Sequence, residues 1–111
     1  MSVFGSRLKQ ARLQAGLSQE RLGIEAGLDP MSASARMNRY ELGNRTPNFE
    51  LVEEIARILQ VPSPYFYARD EQTARLLLAF GKMSAGEKSR LLEAAEQATA
   101  KPVKASKVQT G

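Results

Sequence analysis

Cysteine and histidine are absent from this chain. The lack of cysteine excludes disulfides, thiol catalysis and cysteine-ligated metal sites, and the lack of histidine removes the commonest general base and transition-metal ligand. The Gly-x-Ser-x-Gly motif of serine hydrolases is also missing. An enzyme is therefore the least favoured class of function, and no cofactor or metal is expected.

Long apolar runs are lacking as well. No segment approaches the roughly 20 apolar residues of a membrane-spanning helix, and the N-terminal segment MSVFGSRLKQ lacks the apolar stretch of a signal peptide. Tryptophan is absent, and four Phe and three Tyr leave a core that must be mostly aliphatic. The sequence therefore predicts a cytoplasmic protein without membrane contact.

The net charge of +4 is distributed unevenly. Residues 1–69 contain nine Lys and Arg against seven Asp and Glu, and residues 70–100 contain four against five. Residues 101–111 contain three lysines and no acid, so most of the excess lies in this tail. Bulk charge alone is weak evidence for a nucleic-acid ligand. The tail is predicted to be disordered, and its lysines would either attract phosphates weakly or only keep the chain soluble.

The remaining sequence predicts an all-α protein. Apolar residues recur at helical spacing, and typical capping residues stand at the expected ends. Ser18 and Asn48 are predicted N-caps, Gly16, Gly27 and Gly43 are predicted C-terminal ends, and Ser84 with Glu87 matches a capping box. The predicted helices span residues 4–15, 19–26, 33–42, 49–59, 63–67, 70–80 and about 84–98.

The start of the third helix is open at this stage. Asp29 could cap a helix with Pro30 in its first turn. Alternatively, Asp29 and Pro30 open an irregular segment, and the helix begins near Ala33 behind Ser32 or Ser34. We favour the second interpretation. Met31 is predicted to pack against nearby residues rather than to insert as a wedge into a nucleic-acid ligand.

An ordered set of short motifs resembles the phage repressor and Cro type of helix-turn-helix, also called the XRE family. The matching pieces are residues 12–19 (RLQAGLSQ), Leu22-Gly23, Gly27-Leu28 and residues 40–47 (YELGNRTP). The resemblance implies a five-helix DNA-binding domain over residues 1–68. One departure is clear: Met37 lies ten residues after Gly27, where the family has six, so four residues within positions 29–34 are extra.

The third helix contains the side chains that can contact bases. Met37 and Tyr40 lie three residues apart and should face the core. Arginine can bind guanine N7 and O6, asparagine can pair with adenine, and small residues allow close contact with a thymine methyl group. The predicted base-contacting residues are Ser34, Ala35, Arg36, Asn38 and Arg39.

The resemblance also implies roles outside this helix. Gln19 matches the phosphate-contacting glutamine of the family. Arg12 and Glu41 match a buried structural ion pair that joins the first helix to the DNA-contacting helix, so no direct DNA role is expected for Glu41. The predicted phosphate contacts are Ser18, Gln19, Asn44, Arg45 and Thr46.

Residues 69–100 are predicted to form a C-terminal helical extension. The run from Ala74 to Phe80 is too apolar for one helix face of a small monomer, so it either packs on the fifth helix or forms a dimer interface. We favour the dimer. The predicted interface residues are Leu76, Leu77, Phe80, Leu91, Leu92 and Ala95.

These features favour a dimeric transcriptional regulator that binds specific sequences of double-stranded DNA, and a repressor more than an activator. Two alternatives remain. The chain could be the antitoxin of a toxin–antitoxin pair, which would bind DNA through the same fold and a protein through residues 70–100. It could also be a protein-interaction module that no longer contacts DNA.

Overall fold

The structure, a computed structural model, describes residues 2–100 with their side chains and the backbone of residues 101–110. The chain divides into two compact units, Met1–Gly81 and Lys82–Gly111. The first contains α1 (Val3–Gln14), α2 (Gln19–Glu25), α3 (Ala33–Leu42), α4 (Phe49–Leu59), a 3₁₀ helix (Ser63–Tyr67) and α5 (Glu71–Gly81), and the second contains α6 (Ala85–Thr110). The part of the chain that is described has no strand, and the predicted all-α class is confirmed.

Side-chain caps and left-handed residues fix the ends of the helices. The Oγ of Ser18 accepts a hydrogen bond from the Arg21 N–H, and the Oδ1 of Asn48 accepts one from the Leu51 N–H. Gly27 and Gly43 follow α2 and α3 with φ of +95° and +84°, a conformation that glycine adopts at little cost. These caps explain why the predicted bounds of the helices before α6 lie within about one residue of those observed.

The four extra residues form a turn, not an extension of α3. Asp29 Oδ1 accepts a hydrogen bond from the Met31 N–H at 2.9 Å, and the Asp29 carbonyl accepts one from the Ser32 N–H at 3.0 Å. The helix then begins at Ala33, as the favoured interpretation predicts. The prediction for Met31 is wrong, because its side chain is 94% exposed. The turn directs its side chain away from the core.

Helices α2 and α3 approach each other closely at Gly23. A Cβ atom added there would lie 2.8 Å from the Cβ of Ala33, which is shorter than carbon contacts allow. Leu22 and Ala33 are fully buried beside this point, and Leu28 anchors the turn that connects the two helices. The glycine therefore sets the distance between α2 and α3.

An aliphatic core lies inside this first unit. Helix α4 contributes Val52, Ile55, Ala56 and Leu59, and the chain leaves it through Gln60 in the left-handed conformation. The short helix predicted next is a 3₁₀ helix, and its Phe66 is fully buried. The other large, fully buried side chains are Leu8, Leu22, Met37 and Ile55.

Helix α5 belongs to the first unit, whereas the sequence predicted a boundary after residue 68. Its Ala74 is buried in the core, and its Glu71 carboxylate lies 3.1 Å from the Arg7 guanidinium. Asp70 caps the helix, and its hydrogen bonds from the Thr73 N–H and hydroxyl lower the pKa of Asp70. The boundary between the units therefore follows Gly81.

Helix α6 begins with the predicted capping box. The Ser84 N–H donates to Glu87 Oε1 at 2.8 Å, and the Glu87 N–H donates to Ser84 Oγ at 3.2 Å. The helix ends at Thr110, beyond the predicted end near residue 98, so the backbone of residues 101–110 is helical where the sequence predicted a disordered tail. The side chains of Lys101, Lys104 and Lys107 lie outside the described residues. No described helix is long and apolar enough to cross a membrane.

Candidate nucleic-acid interface

A buried ion pair joins α1 to the end of α3. Arg12 Nε donates to Glu41 Oε2 at 2.5 Å, and Arg12 Nη2 donates to Glu41 Oε1 at 3.1 Å. The two residues are only 8% and 2% exposed. A third donor of Arg12, Nη1, binds the carbonyl of Leu17 at 2.9 Å. This pair therefore fixes α3 relative to both α1 and the start of α2.

Gln19 extends this network to the surface. Its Nε2 atom donates to Glu41 Oε1 at 3.0 Å and to Asn38 Oδ1 at 3.2 Å. Both amide protons are thus used within the protein, one on a buried carboxylate and one on an exposed amide. Because Asn38 Oδ1 accepts this bond, the amide nitrogen of Asn38 is directed elsewhere and can still donate. Gln19 therefore orients Asn38 on the surface of α3.

The outer face of α3 is polar and open. Ala33, Met37, Tyr40 and Glu41 are buried on the inner face, which confirms the predicted inward direction of Met37 and Tyr40. The exposed residues on the opposite side are Ser34, Ala35, Asn38, Arg39 and Leu42. Four of the five predicted base-contacting residues therefore share one exposed face.

Arg36, the fifth, occupies the side of α3 rather than its centre. Its side chain is half-buried, and its Nη2 atom donates to the hydroxyl of Tyr40 at 3.0 Å. Together with Arg39 and Arg45 it lines an open cleft of about 440 Å³. The other residues of the cleft are Tyr40, Thr46, Asn48 and Leu51.

The loop between α3 and α4 presents further polar groups beside this face. Asn44, Arg45 and Thr46 are exposed, while Pro47 is buried and holds the loop against the unit. The Asn44 N–H donates to the carbonyl of Arg39 at 3.0 Å, which closes the end of α3. The loop therefore stands at the C-terminal end of α3, and Ser18 and Gln19 lie at the start of α2.

Two exposed arginines elsewhere in the first unit are paired with carboxylates. Arg21 is paired with Glu25, and Arg57 with Glu54, whose pKa is lowered by the Arg57 side-chain hydrogen bond. Within residues 2–100, no carboxylate pairs with Arg36, Arg39 or Arg45. Their charge is therefore available to an external anion.

Comparison with known proteins assigns this arrangement to a family. Residues 3–64 match a family described as a helix-turn-helix domain. The chain belongs to the helix-turn-helix domain family. A solved protein described as transcriptional regulator BswR is similar to it, with 43% identity, a TM-score of 0.77, and coverage of 84% of this chain and 92% of that one. No curated protein matches the sequence. The prediction of a DNA-binding helix-turn-helix regulator is confirmed at this level.

One buried residue of the helix-turn-helix unit, Arg7, has a structural role that was not predicted from the sequence. Arg7 is buried, and its Nε atom donates to the carbonyl of Ala68 at 2.9 Å. The same guanidinium contacts Gln10 and Glu71, and its Cζ lies 5.8 Å from the centre of the Tyr65 ring. The available signal is its position four residues before Ala11, on the flank of the apolar stripe of α1.

The predicted dimer residues lie on both sides of the unit boundary. In α5, Leu76 is 53% exposed, whereas Leu77 and Phe80 are half-buried, and Leu77 packs against the core of the helix-turn-helix unit. In α6, Leu92 is 55% exposed, Leu91 is half-buried and Ala95 is exposed. Helices α5 and α6 therefore each contain one leucine that is more than half exposed to solvent.

Proposed function

We propose that this chain is a transcriptional repressor of the phage repressor (XRE) type, which binds a specific DNA sequence as a dimer with α3 in the major groove. The observation that carries the proposal is the exposed polar face of α3, held in place from behind by the Arg12–Glu41 pair. A helix of this diameter fits the major groove. A rigid support matters because base recognition requires side chains to be placed accurately.

Four residues are proposed to contact bases. Arg39 can bind guanine N7 and O6 with two parallel hydrogen bonds, and Asn38, oriented by Gln19, can pair with adenine. Ser34 can contact either kind of base through its hydroxyl, and Ala35 is small enough to meet a thymine methyl group. The contacts of Arg36 favour a phosphate as its ligand, not a base.

Five residues are proposed to contact phosphates and thereby set the register of the protein on DNA. They stand at the two ends of the helix-turn-helix, beside rather than on the face of α3, and all but the half-buried Gln19 are exposed. Gln19 would have to give up one of its two internal hydrogen bonds to donate to a phosphate, so its backbone is the more accessible donor. The five are Ser18, Gln19, Asn44, Arg45 and Thr46.

Replacement of Arg39 by alanine should weaken specific binding by about 1–3 kcal/mol and relax the preference at one base pair. The arginine is exposed, so the fold should be unaffected. The measurement is the affinity for the best binding site and for its single-base variants. An equal loss on every sequence would instead identify Arg39 as a phosphate contact.

A dimer is proposed because a single helix-turn-helix contacts too few bases for specificity at cellular salt, and two copies read two half-sites. Leu76 of α5 and Leu92 of α6 each expose an apolar side chain that a second copy could cover. The same leucines would serve a protein partner if the chain is an antitoxin.

Leu76→Glu and Leu92→Glu, made separately, should each convert the dimer to a monomer and weaken operator binding about tenfold or more. Both side chains are more than half exposed in the single chain, so a buried charge would arise only in an interface. Sedimentation measures the change, with Ala95→Glu as a smaller perturbation of α6. A wild-type monomer would contradict the dimer and favour a different protein partner.

Selection of binding sites from random DNA at two salt concentrations tests the whole proposal. We expect a two-fold symmetric motif, with half-sites about one helical turn apart, and an affinity that falls steeply with salt. Recovery of no enriched sequence would overturn sequence-specific binding and leave the protein-interaction alternative.

A further inference from the structure

Arg36 lies on the flank of α3 that is opposite to Gln19. Successive residues of an α-helix are about 100° apart, so Arg36 is about 100° from Ala35, the centre of the exposed face. Gln19 contacts Asn38 and Glu41, which are about 60° and 120° away in the other direction. A helix nearly fills the major groove, so its centre faces base edges and its flanks face the two sugar–phosphate walls.

The guanidinium of Arg36 is held in that position. Its Nη2 atom donates to the Tyr40 hydroxyl at 3.0 Å, and the ring of Tyr40 is buried in the core. Because the phenol is neutral, the bond fixes the direction of the side chain and leaves its charge uncompensated. A base contact from Arg36 would require this bond to break and the side chain to swing toward the centre of α3.

The cleft beside Arg36 suits a phosphate group. Arg36 and Arg45 belong to different segments, α3 and the loop after it, and both line the cleft. Thr46 adds a hydroxyl donor, and no lining residue is acidic. Oxygen atoms of a phosphodiester accept hydrogen bonds from such a set, and arginine forks match their geometry.

We propose that Arg36, held by Tyr40 and joined by Arg45, binds a backbone phosphate on the DNA strand opposite to the one that Gln19 approaches. Arg36 is thus a phosphate clamp and not a base contact. Helix α3 is then held on both flanks. The start of α2 contacts one sugar–phosphate wall of the groove, and the cleft beside Arg36 contacts the other. The inference rests on the proposed function, because it requires α3 to enter the groove.

The first test compares Arg36→Ala with Arg39→Ala on the selected site and on its single-base variants. For Arg36→Ala we expect a loss of about tenfold on every sequence, an unchanged ratio between sequences, and a salt slope reduced by about 1. Arg69→Ala, which removes an exposed arginine outside α3 and outside the proposed dimer residues, controls for net charge and should change affinity much less. Relaxed preference at one base pair for Arg36→Ala would overturn the clamp.

The second test neutralises single phosphates by methylphosphonate substitution along both strands. In each half-site, neutralising one particular phosphate should weaken binding by the wild type but not by Arg36→Ala, because the two changes remove the same contact. Additive losses at all phosphates would contradict the assignment. Wild-type protein that binds no DNA would contradict both this inference and the proposed function, whereas a base-specific Arg36 would contradict the inference alone.

Tyr40→Phe separates positioning from charge. The ring stays in the core, and only the hydroxyl that holds Arg36 is removed. We expect a loss of about two- to fivefold in the wild-type background and no further loss in Arg36→Ala. Arg36→Lys retains the charge without the fork and should bind between wild type and Arg36→Ala. Thermal unfolding of each variant checks the fold. Equal effects of Tyr40→Phe in the wild type and in Arg36→Ala would show that Tyr40 does not position Arg36.

Discussion

Replacement of Glu41 by alanine is expected to lower the free energy of unfolding by about 3–5 kcal/mol. Arg12, which is only 8% exposed, would lose the carboxylate that accepts two of its hydrogen bonds. Gln19 would lose its buried acceptor as well. Urea denaturation followed by circular dichroism measures the change, since small single domains unfold in one cooperative step.

Two controls separate burial from charge pairing as such. Glu25→Ala removes the carboxylate of an exposed pair with Arg21 and should change stability little. The double variant Arg12→Met with Glu41→Leu replaces both charges by apolar groups and should recover much of the loss. If Glu41→Ala is no more destabilising than Glu25→Ala, the pair does not fix α3.

The fold was predictable mainly where local chemistry decides it. The side chains of Ser18, Asn48 and Ser84 accept hydrogen bonds from backbone N–H groups three residues on. The sequence alone therefore indicates where these three helices begin. The turn before α3 could also be favoured, because Asp29 and Pro30 are typical turn residues. Met31 was mispredicted, because an apolar side chain was assumed to find a partner within its own segment.

Long-range contacts explain what could not be predicted. Arg7 is held by the Ala68 carbonyl and by Glu71, which are more than 60 residues away, so its position four residues before Ala11 does not by itself reveal these partners. The flank position of Arg36 follows from helical spacing, which also places Tyr40 one turn away, but the spacing alone does not show that the guanidinium donates to the phenol. The exposed face of α3 was therefore predictable as a group, and the hydrogen bond that sets Arg36 apart from it was not.

Replacement of Gly5 by alanine should lower the free energy of unfolding by about 3 kcal/mol or more, although alanine is the better helix former by about 1 kcal/mol. A Cβ atom at Gly5 would lie 2.1 Å from the carbonyl oxygen of Glu41 and 2.9 Å from that of Tyr40. Both atoms are backbone of α3, so they cannot move aside as a flexible side chain could. Helix α1 would have to withdraw from α3.

Gly86→Ala is the matched control. Gly86 lies in the first turn of α6, and the nearest atom to its added Cβ is the mobile end of Arg90 at 3.6 Å. The same substitution should therefore leave stability unchanged or raise it slightly. Opposite signs at the two glycines, measured by urea denaturation, would show that close approach and not helix propensity governs position 5.

The Gly5 variant also tests how α3 is held. Helix α1 meets Glu41 twice, through the close approach of Gly5 to its carbonyl and through Arg12 on its carboxylate. If α1 withdraws, the ion pair is strained as well, so Gly5→Ala combined with Glu41→Ala should destabilise less than the sum of the two changes. Strict additivity would mean that the two contacts fix the position of α3 independently of each other.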